Sequence, residues 1–399
     1  MVSTMAINKD DSRSFLTEEH LLFKQSIREF LAKEAVPFYD QWEKEGEIPY
    51  SFWEKVGDNG FLCPWIEVEF GGIGANFGYS VVLAEELERV GSALGGISIH
   101  SDVVAPYIAS FGTIDQKQRY LPKFITGEMI SAFAWTEPEM GSELADIQTT
   151  AIKKDGYYLL NGAKTFVTNG FKADFMIVAC KTDLNAVLPK DGISLLLIDK
   201  DTPGLSRGRK LSKPEQGSLG TAELFFDDAS VPVGNLLGEE GKGLSYIMQK
   251  LQQERLICAI SSIMAAKDML HLTMNFIKSQ KAIDKKRSAF KNAQFTIAEI
   301  ATDIQLGRTF IDGLICKHMT GENIITEVSM AKQWVTEMSK RISDKCMQLH
   351  DRYGSMGDDK IARRHRDISL PTLFTGTDET IKTLIPKNIR SQFIFNTIT

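Results

Sequence analysis

The spacing of hydrophobic residues changes twice along the chain. Up to residue 130, apolar side chains recur at helical intervals, and Gly and Pro separate the helical segments. Between residues 131 and 237 the period becomes two, in short runs bounded by Gly, Pro and Asp. The helical period then returns. This pattern predicts an α+β protein with an N-terminal helical domain (1–130), a central β domain (131–237) and a C-terminal four-helix bundle (238–399).

Turn residues refine this expectation for the central domain. Asp155-Gly156 and Asn161-Gly162 each favour a tight β-hairpin, because Gly adopts the positive φ that such turns require. We therefore predict an antiparallel sheet, folded as a small barrel or sandwich. In the C-terminal region no proline occurs between Gly243 and Pro371, and residues 243–280 alone predict a helix of more than thirty residues.

Composition narrows the classes of function. The 399 residues are 43% hydrophobic and 25% charged, as in ordinary globular proteins, and the net charge of −6 gives no reason to expect nucleic acid as a partner. No uninterrupted run of 18 apolar residues occurs, so we expect no membrane span. The N-terminus lacks the features of a signal or transit peptide, the five cysteines form no CxxC pair, and the six histidines show no ligand spacing. These features predict a cytoplasmic protein without a structural metal.

One carboxylate interrupts the apolar face predicted for residues 243–280. At 100° per residue, Glu254 shares a face with Ile247, Leu251, Cys258, Ala265, Met269 and Leu272. A carboxylate in such surroundings is unfavourable unless it is paired, neutral or functional. Burial raises a carboxyl pKa and so creates a base, which makes Glu254 a candidate for catalysis. The alternative is a boundary glutamate that bonds to a neighbouring helix.

Four ordered motifs make the sequence similar to the acyl-CoA dehydrogenase family over about residues 15–390. The stretch AWTEPEMGSEL at 134–144 resembles the family's T-E-P-x-A-G-S-D, and LNGAKTFVTNG at 160–170 resembles I-N-G-x-K-x-W-I-T-N-G. Further matches are MQLHDRYG at 347–354 and LFTGTDETIK at 373–382, which resembles Y-E-G-T-x-x-I. The resemblance implies an FAD enzyme that dehydrogenates the α,β bond of an acyl thioester. The carrier would be coenzyme A or an acyl carrier protein, and a separate electron acceptor protein is possible.

The same resemblance implies a set of cofactor-binding residues. Thr136 and Thr168 would bond the flavin edge without adding charge. Ser142 would touch the cofactor or the thioester arm. The full set is Phe133, Trp135, Thr136, Ser142, Phe166, Thr168, Gln348, Thr377 and Glu379. The alternative is that the strand members of this set are aromatic and turn residues that fill a β core.

The motif that usually carries the family's base lacks it. Where the family has Y-E-G-T, residues 374–377 read Phe-Thr-Gly-Thr. A subgroup that includes long-chain acyl-CoA and isovaleryl-CoA dehydrogenases instead carries the base in a helical motif, L-x-x-E-R-L, which matches residues 251–256. By this resemblance Glu254 would remove the α proton while the β hydride passes to flavin N5. Arg255 would bind the substrate or brace a neighbouring loop.

Other positions depart from the family. Gln280 and Asp284 replace the Arg and Gly of R-x-x-F-G, which holds the FAD pyrophosphate from a neighbouring subunit, and Asp351 replaces a Gly. These changes predict weaker FAD binding, and they leave a homodimer or a homotetramer open. Two alternative functions also stay open. One is a non-catalytic paralogue with an assembly or binding role, and the other is a flavin-dependent monooxygenase of the same fold.

Overall fold

The structure, a computed structural model, describes residues 13–140, 146–281, 287–350 and 360–396. Helices form the first part of this chain, strands the middle and long helices the last part, as the hydrophobic pattern predicts. The N-terminal helices are α1 (Glu18–Glu34), α2 (Tyr39–Glu45), α3 (Tyr50–Asp58), α4 (Phe77–Val90), α5 (Gly95–Ser98), α6 (Ala105–Phe111) and α7 (Ile114–Thr126). A π-helical stretch, Ile99–Val104, joins α5 to α6.

A twisted sheet follows. Its strands are β1 (Ser131–Ala134), β2 (Thr150–Lys154), β3 (Tyr157–Val167), β4 (Phe175–Lys181), β5 (Ile193–Asp199), β6 (Leu205–Lys210) and β7 (Ala222–Pro232). Within the described residues the order is β1-β4-β2-β3-β7-β6, and β5 pairs with β4 outside this path. Most pairs are antiparallel, as expected, but β1 pairs in parallel with β4. The parallel pair brings β1, which enters from the helical part, against the centre of the sheet.

Only one of the two predicted hairpins forms. Asp155-Gly156 joins β2 to β3, with Gly156 at a φ of 86°. The prediction of a hairpin at Asn161-Gly162 is wrong, because these residues lie inside β3 at a bulge opposite β7. Gly162 has a φ of 146°, and a Cβ there would lie 2.5 Å from the side-chain oxygen of Thr149. This glycine therefore permits a close strand approach and does not reverse the chain.

The C-terminal helices are α8 (Gly243–Lys281), α9 (Arg287–Met319), α10 (Ile325–His350), α11 (Lys360–Asp367) and α12 (Asp378–Asn396). The long helix predicted from residue 243 is confirmed, since α8 has 39 residues. By length and composition alone, its segment Gly243–Ser279 could cross a membrane, with a mean hydropathy of 1.3 over the most apolar window. However, 56% of that window is buried inside the protein. Packing of Ile260, Ile263 and Met269 in the main core accounts for the apolar composition.

Candidate active site

A cavity of about 1470 Å³ lies where the helical parts meet the sheet. Of the residues predicted from sequence, it is lined by Phe133, Trp135, Thr136, Phe166, Thr168, Glu254, Arg255 and Thr377. Gln348 and Glu379 are exposed on α10 and α12 and are not among the described residues that line it. Ser142, Asp284 and Asp351 lie outside the described residues, as does the side chain of Gln280.

Glu254 is buried in the cavity wall with only 3% of its surface exposed. The Tyr107 hydroxyl, on α6, donates a hydrogen bond of 2.8 Å to Glu254 Oε1. Burial raises the pKa of Glu254 from 4.5 to about 7, although the Tyr107 hydrogen bond and the charges of Arg255 and Lys250 act in the opposite direction. Glu254 is therefore a carboxyl group whose proton affinity suits proton transfer near neutral pH.

Tyr107 is the partner that the sequence did not reveal. Its side chain is fully buried, and burial followed by the nearby Glu254 charge raises the pKa of its hydroxyl well above 10. The hydroxyl therefore remains a hydrogen-bond donor at any physiological pH. The ring stacks on Phe133, with centroids 4.9 Å apart, and Phe133 contacts Trp135 edge-on at 5.3 Å. This aromatic row connects the base to the sheet.

Arg255 points to the loop that carries the base in most of the family. Its Nε donates to the Thr375 carbonyl at 3.1 Å, and its Nη1 donates to Ser329 Oγ on α10 at 2.8 Å. Thr375 has a φ of 54°, a strained conformation for a β-branched residue. Lys332, which is fully buried, donates to the next carbonyl, that of Gly376, at 3.0 Å. Arg255 thus stabilises this loop, and its side chain also lines the cavity.

The two central motifs are held together by a buried ion pair. Lys164 Nζ lies 2.7 Å from Glu137 Oε1, and both side chains are buried. Glu137 also accepts a hydrogen bond from the Thr149 amide at 2.9 Å. In addition, the Thr165 amide donates to the Thr136 carbonyl at 2.9 Å. The glutamate of T-E-P and the lysine of N-G-x-K therefore fix the relative position of the threonines that face the cavity.

Phe166 is presented to the cavity in an unusual way. A register shift between β3 and β7 occurs at Lys164–Val167, and Phe166 has a φ of 53°. The bulge leaves this ring 63% exposed while its neighbour Thr165 is buried. A large exposed aromatic in a strained conformation beside a cavity is a typical ligand contact.

This wall of the cavity fits a flavin ring. An isoalloxazine needs an apolar surface for its face and uncharged hydrogen-bonding groups at its edge. Phe166 and Trp135 provide aromatic surface, and the half-buried Thr136 and Thr168 provide hydroxyl groups. Glu254 lies in another wall of the same cavity, on α8. Phe166 is too exposed to fill the β core, whereas Phe133 and Trp135 also pack against a buried cluster.

From Glu254 the cavity extends along one face of α8. The lining residues after the base are Ile257, Cys258, Ser261, Ser262 and Ala265. Ala265 is eleven positions after Glu254, so the stretch of α8 that lines this channel spans about 16 Å at 1.5 Å per helical residue. Ser92, Gly95, Ser98 and Ile99, from the N-terminal helical part, line the same cavity.

A cluster of charged side chains lies beyond Ala265, and its member Glu88 lines the cavity. Arg364 Nε lies 2.8 Å from Asp268 Oδ2 on α8, and its Nη1 lies 2.7 Å from Glu88 Oε1 on α4. Ser92 Oγ donates to the same Glu88 oxygen at 2.6 Å. This cluster ties α4, α8 and α11 together.

The chain matches three family domains in order. Residues 17–128 match the acyl-CoA dehydrogenase N-terminal domain, residues 132–229 the middle domain and residues 241–389 the C-terminal domain. The long-chain specific acyl-CoA dehydrogenase, mitochondrial, of Rattus norvegicus is 38% identical over 379 residues, which cover 95% of this chain and 88% of the relative. The isovaleryl-CoA dehydrogenase, mitochondrial, of Pongo abelii is 30% identical over 387 residues, covering 96% and 92%.

A solved structure gives the same result. The acyl-CoA dehydrogenase from Geobacillus kaustophilus superimposes with a TM-score of 0.93 at 55% identity and covers 95% of this chain and 100% of its own. The fold and the site thus define a flavoprotein oxidoreductase that acts on CH–CH bonds. The chain belongs to the acyl-CoA dehydrogenase family. The resemblance and the fold predicted from sequence are confirmed.

Proposed function

We propose that this chain is an FAD-dependent acyl-CoA dehydrogenase in which Glu254 removes the α proton of the thioester. The position of Glu254 supports this assignment most strongly, because it is a buried carboxyl on the wall of the cavity that also contains the flavin-compatible residues. Its pKa of about 7 leaves the carboxylate populated at neutral pH and makes it more basic than an exposed glutamate.

The residues around Glu254 have separable roles in this proposal. Tyr107 holds Oε1, so we assign the α proton to Oε2. Arg255 holds the loop at Thr375. Thr375 stands where most of the family has the glutamate of Y-E-G-T, and its smaller side chain leaves that space free. Thr136, Thr168, Trp135 and Phe166 would hold the flavin ring. When bound, FAD supplies the acceptor for the hydride that leaves the β carbon.

We further propose a long acyl chain as the substrate tail. The stretch of α8 that lines the channel beyond Glu254 spans about 16 Å, from the helical rise of 1.5 Å per residue. A channel of this length can enclose an extended acyl chain. A Cβ added to Gly95 would meet no atom within 4 Å, so the glycine keeps the channel open where a side chain would fill it. The relatives named long-chain specific are similar over 95% of this chain, which supports the same tail.

Coenzyme A is the carrier we propose, and an acyl carrier protein is the alternative. A separate protein would take the electrons from the reduced enzyme. We also propose a cytoplasmic homodimer or homotetramer. Five free cysteines are compatible with a reducing compartment. On α9, Phe295 and Leu306 are 63% and 58% exposed, as expected for a face that a second copy covers.

The first test is the visible spectrum of the purified protein, recorded before and after addition of FAD and desalting. A retained flavin band is expected. Anaerobic mixing with a long-chain acyl-CoA should then bleach this band in the wild type and in Glu239→Gln, an exposed control outside the cavity. Glu254→Gln should retain the flavin but resist bleaching by at least about 100-fold.

Other results would contradict the proposal. A protein that holds no flavin would have to be a non-catalytic paralogue. If Glu254→Gln is bleached as fast as the wild type, the base lies elsewhere. Substrate oxygenation that survives Glu254→Gln would instead favour the monooxygenase.

A further inference from the structure

Lys250 faces the active-site cavity one helical turn before Glu254. Four residues correspond to 400° of rotation and about 6 Å of rise, so the two side chains lie about 40° apart on the same face of α8. Both line the cavity. Neither the family motif nor the hydrophobic pattern predicts a lysine at this position.

The Lys250 ammonium is held in place by α6. Its Nζ donates to Ser110 Oγ at 2.5 Å and lies 5.3 Å above the centre of the Phe111 ring. Phe111 in turn stacks on Tyr246 of α8, with centroids 4.0 Å apart. The helices α6 and α8 therefore contact each other at two successive turns. Lys250 contacts Ser110 and Phe111 at the first turn. Glu254 accepts the Tyr107 hydrogen bond at the next turn.

We propose that Lys250 is a positioning residue that stabilises the carboxylate form of Glu254 in the substrate-filled site. This inference rests on the proposed role of Glu254 as the base. Acyl substrate excludes water from the cavity, which disfavours a charged base. A fixed ammonium on the same face compensates for this loss, because its attraction is screened less as water leaves.

The other charged groups near the pair do not make Lys250 redundant. Tyr107 on α6 bonds Glu254 as a neutral hydroxyl. The Arg255 guanidinium is bonded to the neutral Thr375 carbonyl and Ser329 hydroxyl, so it keeps its charge and also lowers the pKa of Glu254. His318 on α9 is bonded to Gln252, and burial together with the Lys250 charge lowers the pKa of its ring to about 4. His318 is therefore neutral at working pH, and the charges of Arg255 and Lys250 both act on Glu254. Lys250 is the one of these two cations that faces Glu254 from the preceding helical turn.

The pH dependence of flavin bleaching by acyl-CoA tests this inference in the full-length holoprotein. Lys250→Met should move the midpoint of base ionisation upward by about 0.5–1 pH unit, since loss of a nearby cation raises a carboxyl pKa. Lys250→Arg, which keeps the charge, should retain the wild-type midpoint. Lys242→Met removes an exposed lysine that does not line the cavity and serves as the matched control. An unchanged midpoint in an active Lys250→Met enzyme would overturn the inference.

A second result would also overturn it. If Lys250→Met raises only the KM for the thioester, the lysine binds the phosphates of the carrier. A readout without turnover separates this inference from the proposed function. This readout is the difference in unfolding free energy between the wild type and Glu254→Gln, measured as a function of pH. It reports the ionisation of Glu254 directly. Its midpoint should rise in the Lys250→Met background even if no acyl-CoA bleaches the wild type.

Discussion

Tyr107 Oη on α6 and Glu254 Oε1 on α8 are 2.8 Å apart, although the two residues lie 147 positions apart in sequence. The hydroxyl donates to the carboxylate and so favours its charged form, while burial favours the neutral form. The proton affinity of the base is therefore set by the contact between the N-terminal helices and the bundle.

Tyr107→Phe should raise the pKa of Glu254, because it removes a hydrogen bond to the charged form without opening the site. We expect the midpoint of the pH profile for flavin bleaching to move up by about 0.5–1 unit, the effect of one lost hydrogen bond of about 1 kcal/mol. Tyr120→Phe, which changes a buried tyrosine outside the cavity, is the control. A midpoint that stays in place would mean that Tyr107 serves packing alone.

Glu254→Gln should stabilise the protein at alkaline pH. The pKa of Glu254 is raised from 4.5 in the unfolded chain to about 7, so the folded protein binds the proton more tightly. Folded stability from this group is complete below pH 4.5 and is lost as the pH rises through 7. Above pH 7 the glutamine variant should therefore gain up to about 3 kcal/mol in urea unfolding, and below pH 4.5 the gain should vanish. Equal stability at both pH values would contradict the burial of this charge.

Arg255→Lys should loosen the loop at Thr375 because a lysine cannot reach both partners. The loss of the fork between the Thr375 carbonyl and Ser329 should cost about 1–3 kcal/mol in urea unfolding. Limited proteolysis should cut the variant faster near Gly376. Lys387→Arg, a charge-conserving change of an exposed lysine on α12, should change neither quantity.

Gly95→Leu should shorten the accepted acyl chain. The new side chain would enter open space in the channel, so the fold should tolerate it. We expect kcat/KM for long-chain acyl-CoA to fall at least about 10-fold, since a residue of this size fills a hydrophobic subsite worth 1–3 kcal/mol. Activity with a short acyl-CoA should persist. Gly313→Leu on the exposed face of α9 is the control, and a parallel loss for both chain lengths would contradict the proposed channel.

Lys164→Met should destabilise the sheet by about 3–5 kcal/mol, because it leaves the buried Glu137 without its cation. The double variant with Glu137→Gln should recover part of this loss. Urea unfolding of Lys164→Met and of the double variant measures which of the two is more stable. If the double variant is the less stable of the two, the backbone hydrogen bonds of Glu137 outweigh its charge.

The sequence reveals residues whose significance is local. Glu254 stands out because one carboxylate interrupts a periodic apolar face, and Asp155-Gly156 makes a hairpin because two residues contain all the chemistry of the turn. Asn161-Gly162 carries the same dipeptide signal, yet β7 pairs alongside it and converts the turn into a bulge. Long-range pairing thus overrides local turn preference.

Partners that arrive from distant elements leave no such signal. Tyr107 lies in an ordinary helical segment, and nothing in its neighbourhood indicates that it meets Glu254. Lys250 looks like a surface lysine until Ser110 and Phe111 are placed beside it. The roles of Glu137 and Lys164 are likewise visible only once β3 lies against the segment after β1. The base could be found from sequence, whereas the groups that tune it could not.

The site draws one wall from the sheet, the base from the bundle and the hydroxyl that steadies the base from the N-terminal helices. Heating that merely separates these parts would abolish turnover while most of the helical circular dichroism remained. Activity should consequently fade at a lower temperature than secondary structure. By the same logic, two inert fragments divided between the sheet and α8 would regain turnover only on reassociation.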